Sequence, residues 1–204
     1  MIALTDAFAL CGWALVICAT ALYLQYFLVA RRSLLRVLAV FIALLIPVFG
    51  AGLPLTAFFR GVGGDLSTTL LALSVWSLSY RLLGTVTINK RELTVLMAAI
   101  SAAALLLYPT ALGWGDWDAY RLGWGSWWLL LALLALCGVS TGLGLRVLPA
   151  LMALALLAWS FGLMESNNLW DYLFDPWLSA FALVFVFIKC WQSAFRRVVY
   201  RSSH

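Results

Sequence analysis

"AFALCGWALVICATALYLQYFLVA", residues 7–30, decides the fold class. Not one of these side chains is charged. Wound as a helix at about 1.5 Å per residue, the stretch would reach about 36 Å, enough to cross a hydrocarbon core of about 30 Å. The rest of the chain repeats the pattern. Of its 204 residues 65% are hydrophobic and 10% charged, and the mean hydropathy is +1.03. A soluble domain carries about 25% charged residues. That much apolar surface exceeds what one core can bury, so its solvent is lipid. The expected fold is an all-α integral membrane protein, one polytopic bundle over residues 1–204.

The same ruler reads about seven spans: 7–30, 34–59, 66–83, 92–112, 122–140, 145–164 and 176–195. Thr141-Gly-Leu-Gly144 separates the fifth from the sixth, which places Pro149 in the first turn of a new helix, where its missing N–H is tolerated. No basic n-region or small-residue cleavage site marks a removable signal peptide, so the first span is expected to stay. No repeat or linker divides the chain.

Basic residues set the orientation. With the N-terminus outside and the C-terminus cytoplasmic, Arg31, Arg32, Arg36, Arg81, Lys90, Arg91, Arg146, Lys189, Arg196, Arg197 and Arg201 face the cytoplasm. Arg60 and Arg121 alone face out. The acids divide the other way: Asp6, Asp65, Asp116, Asp118, Glu165, Asp171 and Asp175 outside, Glu92 inside. Such a balance is that of cytoplasmic loops and implies no nucleic acid; the expected setting, a bacterial inner membrane, rests on the chemistry of the outer surface.

Two outer connections are rich in polar and aromatic groups. "ESNNLWDYLFDPW" (165–177) lies between the sixth and seventh spans, and "GWGDWDAYRLGWGSWW" (113–128) between the fourth and fifth. Trp114, Trp117, Trp124, Trp127, Trp128, Trp170 and Trp177 thus collect on one side, whereas an aromatic belt decorates both interfaces. Carboxylates here could simply complement helix dipoles, and Asp175 before Pro176 has the form of an N-cap. As a group, Glu165, Asn168, Trp170, Asp171, Tyr172, Asp175 and Trp177 form a candidate surface with Asp116, Trp117, Asp118 and Arg121. In a helix, Asn168, Asp171 and Asp175 would share one face. Rings beside carboxylates and amides suit a glycan, a lipid-linked sugar or a lipid headgroup, and equally the rim of a membrane-protein partner.

The second span carries Pro47, Gly50, Gly52 and Pro54. It reads either as a kinked helix with glycines for close packing, or as a discontinuous helix whose freed backbone faces a polar cavity, with Arg60 and Asp65 at its mouth.

The chemistry is bounded by what is missing. His204 is the sole histidine, which excludes His-ligated haem, His zinc sites and a Ser-His-Asp triad. Gly61-Val-Gly-Gly64 lacks the Lys and Ser/Thr of a phosphate-binding loop. Cys11, Cys18, Cys137 and Cys190 lie in apolar runs without metal-ligand spacing. Lys189 sits about 9 Å from the inner end of its span, placed to snorkel, and the third span offers no counter-ion for a retinal Schiff base. No cofactor and no metal are expected. The expected function is a non-catalytic subunit or binding module in assembly or modification of envelope glycans or lipids. A transporter or flippase of a lipid or small solute is one alternative, and a transferase or hydrolase using carboxylates such as Glu165 and Asp171 is another.

Overall fold

A computed structural model describes residues 4–25, 34–48 and 52–202. The chain is 78% helix, and no strand occurs among the described residues. The helices are α1 (Leu4–Gln25), α2 (Leu34–Leu45), α3 (Leu55–Gly63), α4 (Thr68–Leu83), α5 (Lys90–Ala111), α6 (Trp127–Gly142), α7 (Val147–Ser160), α8 (Leu169–Leu173) and α9 (Pro176–Ser202). A 3₁₀ turn, Ala119–Gly123, precedes α6. Among the described residues three segments are long and apolar enough to cross a membrane: Leu4–Leu24, Lys90–Ala111 and Pro176–Phe195. Leu35, Leu105, Leu134 and Phe187 are exposed large apolar side chains on these and neighbouring helices. In a membrane protein lipid covers them.

Two compact units make up the chain, residues 1–87 with 151–175 and residues 88–150 with 176–204. In the first, α1 is the hub against which α2, α3 and α4 pack. Trp13 joins Leu66 and Leu71, Ala14 and Cys18 join Leu44, and Ala19 and Leu22 join Leu78. Each side of α1 meets a different neighbour, which is why its sequence is apolar all round. The closest approach is at Gly12, where an added Cβ would stand 3.1 Å from Leu71 Cδ2. Helix α4 starts where Ser67 Oγ accepts from Leu70 N–H at 3.2 Å, and stops at Gly84, whose φ of 69° only glycine adopts easily.

The expected second span, 34–59, is two helices. Chain between α2 and α3 turns back on itself: Pro47 and Pro54 form an isolated antiparallel bridge, and Val48 N–H donates to Leu53 O at 2.9 Å. Gly50 and the arginines Arg31 and Arg32 lie outside the described residues. The chain at the prolines is broken into two helices, not merely kinked. Neither half could span alone, since 12 and 9 residues give about 18 and 14 Å. Leu44 packs beside Ala14, near the middle of α1, so α2 covers only the half of α1 that ends at Gln25.

In the second unit α5 packs along α9, and Tyr108 Oη and Ser179 Oγ share a 3.3 Å hydrogen bond. The fifth and sixth expected spans are separate helices, broken at Gly144 with φ 73°, and Pro149 lies in the first turn of α7. Glu92 completes that helix start. Its two oxygens accept from Arg146 N–H (3.2 Å) and Val147 N–H (3.1 Å), groups a helix leaves unpaired.

The Gly12 contact is testable. Gly12→Ala is expected to change stability little, because the Leu71 tip can shift and alanine favours helix. Gly12→Leu overpacks the α1–α4 contact and is expected to cost about 1–3 kcal/mol, read as a lowered unfolding midpoint in detergent.

Candidate functional site

Arg60 organises the first unit. It ends α3, and Gly64, at φ 71°, then turns the chain so that Asp65 comes back beside it. Arg60 Nε bonds Asp65 Oδ1 at 2.7 Å, Nη1 bonds Asp6 Oδ1 at 2.6 Å, and Nη2 reaches Glu165 Oε1 at 2.7 Å. All three nitrogens of the planar fork thus hold a separate carboxylate. The Arg60 side chain is 19% exposed, against 17% for Asp65, 38% for Asp6 and 62% for Glu165. Burial pulls the Arg60 pKa down, but hydrogen bonds to Asp65, Asp6 and Glu165 outweigh it and leave it raised. Trp13 closes the floor: its Nε1–H donates to Gly64 O at 2.9 Å and its ring stacks on Phe59.

The 165–177 segment turns inward. Ser166 Oγ donates to Asp171 and accepts from Asn168 N–H, while Asn168 Oδ1 caps α8 by accepting from Trp170 N–H at 3.0 Å. The Tyr172 hydroxyl accepts from Met164 N–H at 3.1 Å and donates to Met164 O at 3.4 Å. Burial, ahead of the opposing Met164 bond and the nearby Asp171 and Asp65 charges, pushes the Tyr172 phenol up. Asp175 Oδ2 accepts from both Ser67 N–H (2.9 Å) and Ser67 Oγ–H (2.6 Å), placing a carboxylate at the start of α4. Asn168, Trp170, Tyr172 and Asp175 are all buried. Helix α8 stops at Leu173 and Phe174 is extended, so Asn168, Asp171 and Asp175 do not continue along one helix face. Glu165 remains largely open at the edge of the Arg60 cluster.

The second unit carries the exposed tryptophans. Asp118 accepts from Tyr120 N–H at 2.9 Å and starts the 3₁₀ turn, and Thr110 Oγ1 accepts from Ala119 N–H at 3.3 Å, tying it to α5. From this base Trp114, Trp117, Trp124, Trp127 and Trp128 project with 52–78% exposure, and Asp116 and Arg121 are exposed among them. Tyr120 meets Trp124 edge to face. Trp177 is 53% exposed. The Tyr108–Ser179 bond sets the start of α9 beside the end of α5, so Trp177 and segment 113–128 share one end of this unit.

The structure therefore groups Glu165, Asn168, Trp170, Asp171, Tyr172 and Asp175 in the first unit, and Asp116, Trp117, Asp118, Arg121 and Trp177 in the second. Glu165 contacts Arg60, and Asp171 contacts Ser166. Sequence reasoning does not name Arg60, Asp6, Ser67 or Ser166 among the candidate site residues. The available signal is a charge count: Arg60 is one of two bases that the sequence reading groups with seven acids. No group of His, Cys, Asp and Glu able to hold a metal ion occurs among the described residues.

Arg60→Ala would leave three carboxylates facing one another and is expected to cost about 3–5 kcal/mol, by thermal unfolding in detergent. Asp6→Asn, at a half-exposed partner, should cost at most about 1 kcal/mol. Tyr172, with its folded pKa raised above the ordinary 10.0, keeps its stabilising contribution below that pH and loses it as pH rises through the folded value. Ultraviolet tyrosinate titration should therefore contain a late component that Tyr172→Phe removes. No known protein family, no curated protein and no solved structure matches this chain.

Proposed function

We propose that this is a polytopic protein of a bacterial inner membrane that serves as a non-catalytic subunit or binding module in envelope glycan or lipid assembly. In this reading the chain makes seven crossings, the α2–α3 pair counting as one, with its N-terminus outside and its C-terminus in the cytoplasm. The recognition face is segment 113–128 with Trp177.

One observation carries the proposal: five tryptophans at more than half exposure, with Asp116 and Arg121, stand on a base fixed by the Asp118 and Thr110 bonds, and an exposed Trp177 shares their end of the unit. Large rigid rings held by a scaffold lose little freedom on binding, and Trp and Arg dominate binding hot spots. Asp116 supports the same reading, since it is the carboxylate without a partner among the described residues. Asp6, Asp65 and Glu165 are held by Arg60, Asp171 by Ser166, Asp175 by Ser67, and Asp118 and Glu92 by backbone amides. Carboxylates tied into helix starts and an ion cluster favour architecture over acid–base catalysis.

A second reading, transport of a lipid or small solute, draws on the break between α2 and α3. Discontinuous helices supply free backbone groups at depth in many transporters. It requires the two halves to move, whereas Thr56 Oγ1–H reaches Leu44 O at 3.5 Å and the Arg60 cluster anchors α3.

Gentle purification from native membranes, followed by mass spectrometry of what co-purifies, tests the binding module. A stoichiometric protein or glycolipid is expected. Its retention should fall at least tenfold in Trp117→Ala/Trp124→Ala, with the unfolding midpoint unchanged. Retention that ignores these changes but vanishes with Arg60→Lys would move the recognition face to the first unit.

A further inference from the structure

The first unit has an open groove that the proposed function does not use. It lies between α1 and α2, has a volume of about 360 Å³, and is lined by Ala21 and Leu22 of α1 and Val37, Ala39 and Val40 of α2, with Arg36. Arg36 stands one turn before Val40, in the first turn of α2, so it takes the end of the groove nearest the start of that helix. A cation there opposes the positive end of the helix dipole. Arg36 is exposed and has no hydrogen-bond or ion-pair partner among the described residues.

No acid of the unit can reach it. Asp6, Asp65 and Glu165 are gathered on Arg60, Asp175 on neighbouring Ser67, and Asp171 on Ser166 of the same loop as Glu165. Asp6 and Leu22 are sixteen residues apart on α1, about 24 Å along its axis. Among the described residues of this unit no carboxylate is held by Arg36. The lipid-facing side of this groove therefore combines an apolar slot with an unneutralised guanidinium at one end.

We propose that the groove is a binding site for an anionic phospholipid, one acyl chain lying between α1 and α2 and the headgroup phosphate on Arg36. An arginine fork accepts a phosphate through paired hydrogen bonds, and basic pockets between membrane helices select anionic headgroups. The chain supplies the rest by displacing no water and filling a slot too apolar for it. Of the occupants available in a bilayer, a zwitterionic lipid brings its own cation to an already positive end. A second copy of this chain would bring further arginines.

The test uses the full chain in detergent, titrated with phosphatidylglycerol and phosphatidylcholine of identical acyl chains and read by native mass spectrometry. At least a fivefold preference for phosphatidylglycerol is expected. Arg36→Gln should bring the preference to within twofold of unity, and Arg91→Gln, on the other unit, should leave it intact. Ala39→Phe, which fills the slot and faces outward, should reduce phosphatidylglycerol binding at least fivefold. Glycerol phosphate, which has the headgroup without the chain, should not compete. Equal binding of the two lipids, a preference that survives Arg36→Gln, unchanged binding in Ala39→Phe, or competition by glycerol phosphate would each overturn the proposal. Size-exclusion profiles and unfolding midpoints confirm that each variant is folded, and because all changes avoid 113–128, failure here leaves the recognition-face reading standing.

Discussion

A guanidinium with a carboxylate on each of its three nitrogens is the constraint on which the first unit depends. Asp6 belongs to the first turn of α1, Asp65 to the approach to α4, and Glu165 to the chain after α7. One side chain therefore fixes the relative height of three segments that are far apart in sequence. Ion pairs are weak where water screens them and strong where it cannot, and Arg60 is largely withdrawn from water. Asp175 repeats the device on a smaller scale by binding both polar groups of Ser67, so that the last loop of the unit closes onto the start of α4.

The two polar connections resemble each other in composition and differ in use. Segment 165–177 spends its side chains on its own backbone: Asn168 caps α8, Tyr172 ties back to Met164, and Trp170 packs on Phe174. Segment 113–128 does the reverse, with short polar side chains fixing the turn and the indoles left outside. Burial separates the two, and composition cannot.

The helices were legible because their signals are local. The reading of 66–83 matches α4 (Thr68–Leu83), bracketed by a serine cap and a glycine stop, and 92–112 matches α5 (Lys90–Ala111). Pro47 and Pro54 announced a break, but whether a helix merely kinks or parts into two depends on what receives the second half. Here α1 receives it, through Trp13 on Phe59 and Asp6 on Arg60. The candidate site was legible only in part, for the same reason. Ser67 and Asp175 are separated by 108 residues, and no spacing rule connects such a pair. The polarity of Asn168, Tyr172 and Asp175 pointed to a surface, whereas each is buried because a backbone or hydroxyl partner awaits it inside.

The break between α2 and α3 bears on biogenesis. A nascent segment leaves the translocation machinery for lipid when it is long and apolar enough to do so unaided, and helices of 12 and 9 residues are both short of that length. Their exposed turn also carries backbone groups that lipid alone cannot satisfy. Helix α1, synthesised first and able to cross by itself, supplies the missing surface to both halves. If the chain integrates in order, α1 is the surface on which the two short helices that follow it can be held, and a defect in α1 is expected to appear first as a failure of that segment to integrate.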